Sequence, residues 1–350
     1  MKLNAPKKRM FRTDFLRADA ANGRTTLTLH FVWVLSAILI CAEPAGCEEP
    51  AKDIPTAGDA AQVIDLWPQE PPAWAGTAEQ EHDTSGPNGN KVAGKSVIRL
   101  GHVSKPQLHL YAAKPDAPHA KTMVLICPGG GYSILAWDLE GTEIAAQFNS
   151  LGFSAAVLKY RVPTRQMEQA WLPPVQDVQR AISIIRSGRT AQSGVEQEGI
   201  AFDQVGLVGF SAGGNAAVRA AASGGRRFYS AIDETDESNC QPDFAGLIYP
   251  WLMIEAAAKV KPGDTNLGIL PELTIDSSTP PMFMAHAHDD PISCKNSVEL
   301  FSQLQDKGIR GELHVYSGGG HGFGARDKNV AAANWPEQMA KWLTSLPTTK

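Results

Sequence analysis

The chain has 350 residues, 43% hydrophobic and 20% charged, the balance of a soluble globular protein with room for one large core or two small ones. Its formal net charge is −5, but residues 1–46 hold seven Lys/Arg against three Asp/Glu, which leaves 25 basic and 34 acidic residues, a net of −9, in the remainder. Such a remainder excludes the basic field that holds nucleic acid or anionic lipid. No internal repeat at solenoid or propeller periods is present.

The first 46 residues read as a targeting segment. Lys2, Lys7, Lys8, Arg9, Arg12, Arg17 and Arg24 precede an apolar run from Leu27 to Ala42, and small residues with Pro44 follow. That is the plan of a secretory signal. The run is about 15 residues long, short of the ~20 needed to span a bilayer, so export to the periplasm or the exterior is expected over a single membrane anchor. Cleavage after Ala42 is one outcome. Ala45-Gly46-Cys47 also resembles the end of a bacterial lipobox, with Pro44 where an aliphatic residue belongs, and would lipidate Cys47. No stable membrane partner is otherwise expected.

Residues 47–94 are rich in Pro, Ala, Gly and Glu without sustained periodicity and are expected to form a linker, with Leu66, Trp67 and Trp74 lying along a domain surface. The cysteines beyond the signal (Cys47, Cys127, Cys240, Cys294) have no metal-ligand spacing, and Cys127, ending an apolar run, reads as a buried thiol.

From residue 95 to 350 strands and helices alternate. Val97–Leu100 and Gln107–Tyr111 alternate polar and apolar, as half-exposed antiparallel strands do. Thr122–Cys127 is apolar throughout, as in a strand buried on both faces. A helical stripe over Thr142–Leu151 follows, then a strand over Phe153–Leu158 and a helix over Val175–Ser187. Strands at Val205–Phe210, Ala245–Tyr249, Pro281–Ala285 and Glu312–Tyr316 are separated by helices after Ser211 and over Ser297–Leu304. A helix over Val330–Leu346 closes the chain. Repeated strand–helix units imply an α/β fold with a mostly parallel sheet, helices on both faces, and antiparallel strands at its N-terminal edge.

One strand end carries Gly209-Phe210-Ser211-Ala212-Gly213, the G-x-S-x-G nucleophile elbow in its strand–turn–helix context. Strand and helix must pass so closely there that a side chain at 209 or 213 would collide. In open α/β sheets reactive groups gather at the carboxyl ends of strands, and three further ends are suggestive. Cys127 runs into Pro128-Gly129-Gly130-Gly131-Tyr132, whose glycines can turn amides toward one point as an oxyanion hole requires. Ala285 runs into His286-Ala287-His288-Asp289-Asp290-Pro291. Tyr316 runs into Ser317-Gly318-Gly319-Gly320-His321-Gly322-Phe323-Gly324. Serine, then acid, then histidine is the chain order of α/β hydrolases.

Over residues 98–350 the chain resembles the bacterial acetylxylan-esterase and feruloyl-esterase-like group of α/β hydrolases. The shared segments are Cys127–Tyr132, Leu135–Gly141, Leu158–Pro163, Gln176–Ala181, the elbow, Gln241–Phe244 and Gly320–Gly324. The resemblance implies Ser211 as nucleophile, His321 as base and Asp290 as acid, since the group's pattern counts four residues from the histidine at 286. Ile292-Ser293-Cys294 replaces the group's apolar-Pro pair, so Asp289 is the competing acid. The oxyanion would be held by the amides of Gly130, Gly131 and Ala212. Tyr132 and Trp137 are candidates for walling an acyl or sugar pocket, with plain packing the alternative for Trp137. The implied substrate is a small, acetyl-type ester on carbohydrate; a general short-chain carboxylesterase and a non-catalytic binding homologue are the rivals. No cofactor or metal is called for, although His286, His288, Asp289 and Asp290 are ligand types. Asp177 and Arg180, three apart on a helix, read as a structural ion pair.

Overall fold

The computed structural model describes residues 60, 62–74, 76–188, 201–254 and 267–347. The expected signal segment and Cys47 lie outside the described residues. Among those described, no helix is long and apolar enough to cross a membrane.

In chain order the strands are β1 (Gln62–Asp65), β2 (His82–Asp83), β3 (Lys91–Val92), β4 (Lys95–Ser96), β5 (Arg99–Gly101), β6 (Gln107–Tyr111), β7 (His119–Cys127), β8 (Leu135–Ala136), β9 (Phe153–Lys159), β10 (Gln204–Phe210), β11 (Ala245–Ile248), β12 (Met282–Ala287) and β13 (Gly311–Tyr316). The helices are α1 (Glu143–Ser150), α2 (Leu172–Ser187), α3 (Ser211–Ala221), α4 (Lys295–Asp306) and α5 (Trp335–Ser345). Eight strands form one sheet in the order β1-β6-β9-β7-β10-β11-β12-β13. From β9 onward neighbours are parallel; β1 and β6 are antiparallel.

Alternation along each strand divides the core between the faces. Met123, Leu125 and Cys127 point with Leu207 and Met284 toward α2, α3 and α4. Val124 and Ile126 point the other way, with Val208 and Phe283, onto Ile144 and Phe148 of α1 and Trp335, Met339 and Trp342 of α5. Both sheet faces are covered, which is why the central strands read as unbroken apolar runs. Helices α2 and α5 each begin beside proline in the first turn, where a missing N–H costs nothing. This starts α5 at Trp335 rather than Val330, after a short 3₁₀ turn over Ala331–Asn334.

Antiparallel strands stand at the N-terminal edge of the sheet as expected, but one of the two is not the strand expected. Val97–Leu100 does not precede Gln107–Tyr111 in the main sheet; β5 belongs to a separate three-stranded sheet with β2 and β8. The second antiparallel strand of the main sheet is β1, from the stretch read as linker. Leu66 and Trp67 behind it are buried at 1% and 7% exposure, so the packed unit begins at least 30 residues before position 95. Trp67 Nε1 donates to Asp177 Oδ1 at 2.8 Å, and Arg180 Nε donates to Leu66 O at 2.9 Å. A four-residue strand is too short to show a period, and its anchors are α2 residues over a hundred positions away.

The pairing of Asp177 with Arg180 also fails. Asp177 accepts from Arg161 Nε, at 3.0 and 2.9 Å, with both side chains wholly buried. Arg180 pairs with Asp233 and Asp236. Both arginines are buried, and each is matched to a carboxylate that the fold brings to it from elsewhere in the chain: Asp177 to Arg161 after β9, Asp233 and Asp236 to Arg180.

Candidate active site

At the end of β10 the chain passes Ser211 at φ 48°, left-handed for a residue with a side chain. The elbow holds this strain. A Cβ on Gly213 would stand 2.1 Å from Cys127 O, and one on Gly209 2.4 Å from Gly213 O, so glycine is required at both positions. The serine is 7% exposed and opens α3.

His321 arrives on the loop after β13. Its Nε2 lies 2.9 Å from Ser211 Oγ and its Nδ1 2.8 Å from Asp290 Oδ2. An ionised carboxylate only accepts, so Nδ1 carries the proton and Nε2 is free to accept from the serine hydroxyl. Asp290 is positioned by its own loop, where Oδ1 accepts from Ile292 N at 2.6 Å. Asp289 Oδ1 instead accepts from Gly320 N at 2.8 Å, in the turn just before the histidine.

The electrostatics follow from these contacts. Burial works against the charged form of His321, but the hydrogen bond and charge of Asp290, with Glu140 beyond, outweigh it and hold the imidazole above its ordinary value. Burial alone would raise Asp290; hydrogen bonds from His286 and His321 and the Ile292 amide bring it below the usual carboxylate range.

The loop after β7 presents its amides beside the serine. Gly129 N is already engaged by Glu140 Oε2 at 2.7 Å. Among the described residues, the Gly130 and Gly131 amides donate no backbone hydrogen bond. Gly130, at φ 136°, admits no Cβ, which would sit 2.1 Å from Ile134 O. Ala212 lies in the first turn of α3, whose amides have no partner within the helix. The three amides and Ser211 are thus grouped at the meeting of β7 and β10, adjacent parallel strands.

A cleft of about 740 Å³ opens over this group, and Gly130, Gly131, Ser211 and His321 all line it. Tyr132 and Trp137 do not. Tyr132 is 2% exposed, and its hydroxyl donates to Asn215 Oδ1 at 2.9 Å, tying the glycine loop to α3. Trp137 is half-buried and packs edge-on against His109. Neither side chain is among those lining the cleft at Ser211. The aromatic that does face the cleft is Trp251, after β11; its amide donates to Ser211 O at 3.0 Å.

Glu140 is a site residue that no motif in the sequence singles out. On a wide π-type turn over Asp138–Thr142, it accepts from Gly129 N and from Tyr249 Oη at 2.8 Å, and Tyr249 Oη accepts from Gly324 N at 3.1 Å. Burial raises its pKa, with Tyr249 the largest opposing influence. This bridge joins the glycine loop to the His321 loop. The signal in the sequence was only an acidic residue in a shared segment. His286 supports the acid: it is fully buried, with Nδ1 2.9 Å from Ser297 Oγ and Nε2 2.8 Å from Ile292 O and 3.3 Å from Asp290 Oδ2. Because a carbonyl only accepts, its Nε2 bears the proton. Among the described residues the group whose atoms lie as metal ligands would is Glu79, His82 and His102, and the 286–290 segment forms no such group.

A serine hydroxyl hydrogen-bonded to an imidazole, itself oriented by a buried carboxylate, with free amides alongside, is the arrangement used for acyl transfer through a serine nucleophile. The fold that carries it, with the elbow between β10 and α3 and the acid and histidine after β12 and β13, is that of an α/β hydrolase. The family model of the prolyl oligopeptidase family matches residues 189–346. An acetylxylan esterase of Xylanibacter ruminicola is 25% identical over 276 residues, covering 74% of this chain and 52% of that protein. Endo-1,4-beta-xylanase B of Butyrivibrio fibrisolvens is 26% identical over 236 residues, 62% of this chain and 34% of that protein. The chain therefore spans about half the length, or less, of these curated relatives. The acetyl ester-xyloside bifunctional hydrolase of Caldicellulosiruptor lactoaceticus shares the fold at a TM-score of 0.59 and 24% identity, covering 84% of this chain and 98% of that one. This chain has the α/β-hydrolase fold, and over about three quarters of its length its sequence is similar to that of an acetylxylan esterase.

Proposed function

We propose that the protein is a serine esterase that removes small acyl groups, acetyl above all, from carbohydrate. The observation that carries this reading is the hydrogen-bonded run Ser211–His321–Asp290 beside unengaged amides in an open cleft. In the reaction His321 Nε2 takes the Ser211 proton as Oγ attacks the ester carbonyl. The oxyanion is held by the amides of Ala212, Gly130 and Gly131, where one lost donor costs about 3–4 kcal/mol of transition-state stabilisation. Asp290 stabilises the imidazolium, which gives its proton to the sugar oxygen as the bond from that oxygen to the acyl carbon breaks, leaving the acyl group on Ser211 Oγ. Water, deprotonated by the same imidazole, releases the acid from Ser211.

The carbohydrate part rests on the similarity to an acetylxylan esterase, since a fold alone hosts many substrates. Purified protein is to be screened on acetylated xylan beside p-nitrophenyl acetate, butyrate and octanoate. Acetate release from xylan and a steep fall from acetate to octanoate are expected. Preference for octanoate with no release from xylan would leave a general carboxylesterase in its place. We further propose export, supported by the basic and apolar pattern of residues 1–46; the mature chain should then begin between about residues 43 and 48.

A further inference from the structure

We propose that the rim of the cleft is a recognition site for an anionic group, a uronate carboxylate or a sulfate, on the same carbohydrate that bears the ester; this rests on the carbohydrate-esterase reading. The chain is acidic as a whole, yet the cleft reverses that sign. Lys91, Arg99 and Arg165 line it. The one carboxylate in its lining is Glu140, buried and already engaged by Gly129 N and Tyr249 Oη.

The two arginines differ from most others in the fold. Arg161, Arg180, Arg186, Arg219, Arg227 and Arg326 each sit against a carboxylate. Arg99 and Arg165 have no carboxylate within ion-pair distance among the described residues, and both donate to backbone carbonyls. Arg99 reaches Val97 O and Asn90 O at 3.3 and 3.2 Å, and Arg165 Nη1 reaches Gly131 O at 3.1 Å. An arginine carries five donors in a planar fork matched to a carboxylate or sulfate, and Arg165 uses one of them on the protein.

Arg165 is also held in place. Its guanidinium carbon lies 5.0 Å from the centre of the Trp251 ring, a cation–π contact. That stacking fixes an exposed side chain against the loop carrying the Gly131 amide. The fork is therefore one peptide unit from an amide assigned to the oxyanion. An anion on the esterified sugar, or on the next one, falls within its reach. Lys91 and Arg99 add like charge to the lining, which raises the local concentration of an acidic chain.

The test uses the full chain with Ser211→Ala, so that ligand persists, and calorimetric titration with three probes: xylotetraose, the same oligosaccharide bearing glucuronic acid, and a sulfated tetrasaccharide. One acidic probe should bind at least tenfold more tightly than xylotetraose, and which one does so separates uronate from sulfate. The advantage should shrink in 0.5 M NaCl, fall toward one in the Arg165→Gln background, and survive in part in Arg165→Lys, which keeps the charge and loses the fork. Equal affinity for acidic and neutral probes, no binding of any, or a preference that survives Arg165→Gln would overturn the site. Hydrolysis of p-nitrophenyl acetate by the wild type is read in parallel. Its absence would bring down the esterase reading itself, whereas its presence with no acid preference brings down the anion site alone.

Discussion

Asp289 and Asp290 are neighbours in the chain and serve different partners: Asp290 Oδ2 meets His321 Nδ1 at 2.8 Å, while Asp289 Oδ1 accepts the Gly320 amide at 2.8 Å. One orients the imidazole directly and the other fixes the turn that delivers it. Asp290→Asn should therefore lower kcat about 10⁴-fold by holding the wrong imidazole tautomer. Asp289→Asn, whose amide oxygen can still accept from Gly320, should change kcat less than about tenfold, the size expected of a positioning contact. Steady-state kinetics on p-nitrophenyl acetate separate the two, and exchanged phenotypes would contradict the assignment.

The pH profile offers a second check. His321 must be neutral to accept the serine proton, and its pKa is raised above the ordinary 6.5, with burial opposed and outweighed by Asp290 and Glu140. The acid limb of kcat/KM should therefore have its midpoint above 6.5, activity rising with pH through it. Glu140→Gln removes one of the charges that raises the value, so the midpoint should move down. An unmoved midpoint in that variant would show that Glu140 does not reach the base electrostatically.

Much of this site was legible in the sequence because its pieces are local. The elbow needs glycines at fixed offsets from Ser211, the acid follows an apolar run, and His321 follows an alternating one, both of which read as strands without any partner. What was not legible depends on contacts between distant positions. Glu140 matters through Tyr249, 109 residues on. Tyr132 follows three glycines in a loop, which reads as a pocket wall, yet its hydroxyl finds Asn215 on α3 and turns inward. The strand Gln62–Asp65 pairs with Gln107–Tyr111 across a gap that no period spans. Arg161 and Asp177 show the same limit, since only the tertiary fold brings the arginine after β9 to the carboxylate and takes Arg180 to Asp233 and Asp236.

That pair gives a stability prediction. Asp177 accepts from Arg161 and from Trp67 Nε1 with no solvent access to Arg161 or Asp177. Asp177→Ala would leave a buried guanidinium uncompensated, at a cost of about 3–5 kcal/mol. A corresponding drop in the denaturant midpoint is expected. A change below about 1 kcal/mol would mean that water reaches Arg161 and replaces the carboxylate.

The elbow makes a prediction of a different kind. Gly213→Ala would set a methyl carbon 2.1 Å from Cys127 O, a backbone atom that cannot swing aside. The strand–helix crossing must open, moving Ser211 away from His321. Activity should fall by more than a hundredfold even where circular dichroism shows folded protein. Near-normal activity would show that the crossing is looser than 2.1 Å allows.

The central claim, that Ser211 is the nucleophile of an esterase, is tested most directly by mass spectrometry of protein treated with a serine-directed phosphonate, alongside the hydrolysis rate of Ser211→Ala. One equivalent of adduct should sit on the peptide containing Ser211, with p-nitrophenyl acetate hydrolysis lost in step. Ser211→Ala should be unlabelled and folded, with its rate down toward the ~10⁶-fold loss that removal of such a serine can cause. An adduct on another residue, no adduct at all, or a variant retaining more than about a hundredth of wild-type activity would contradict the account.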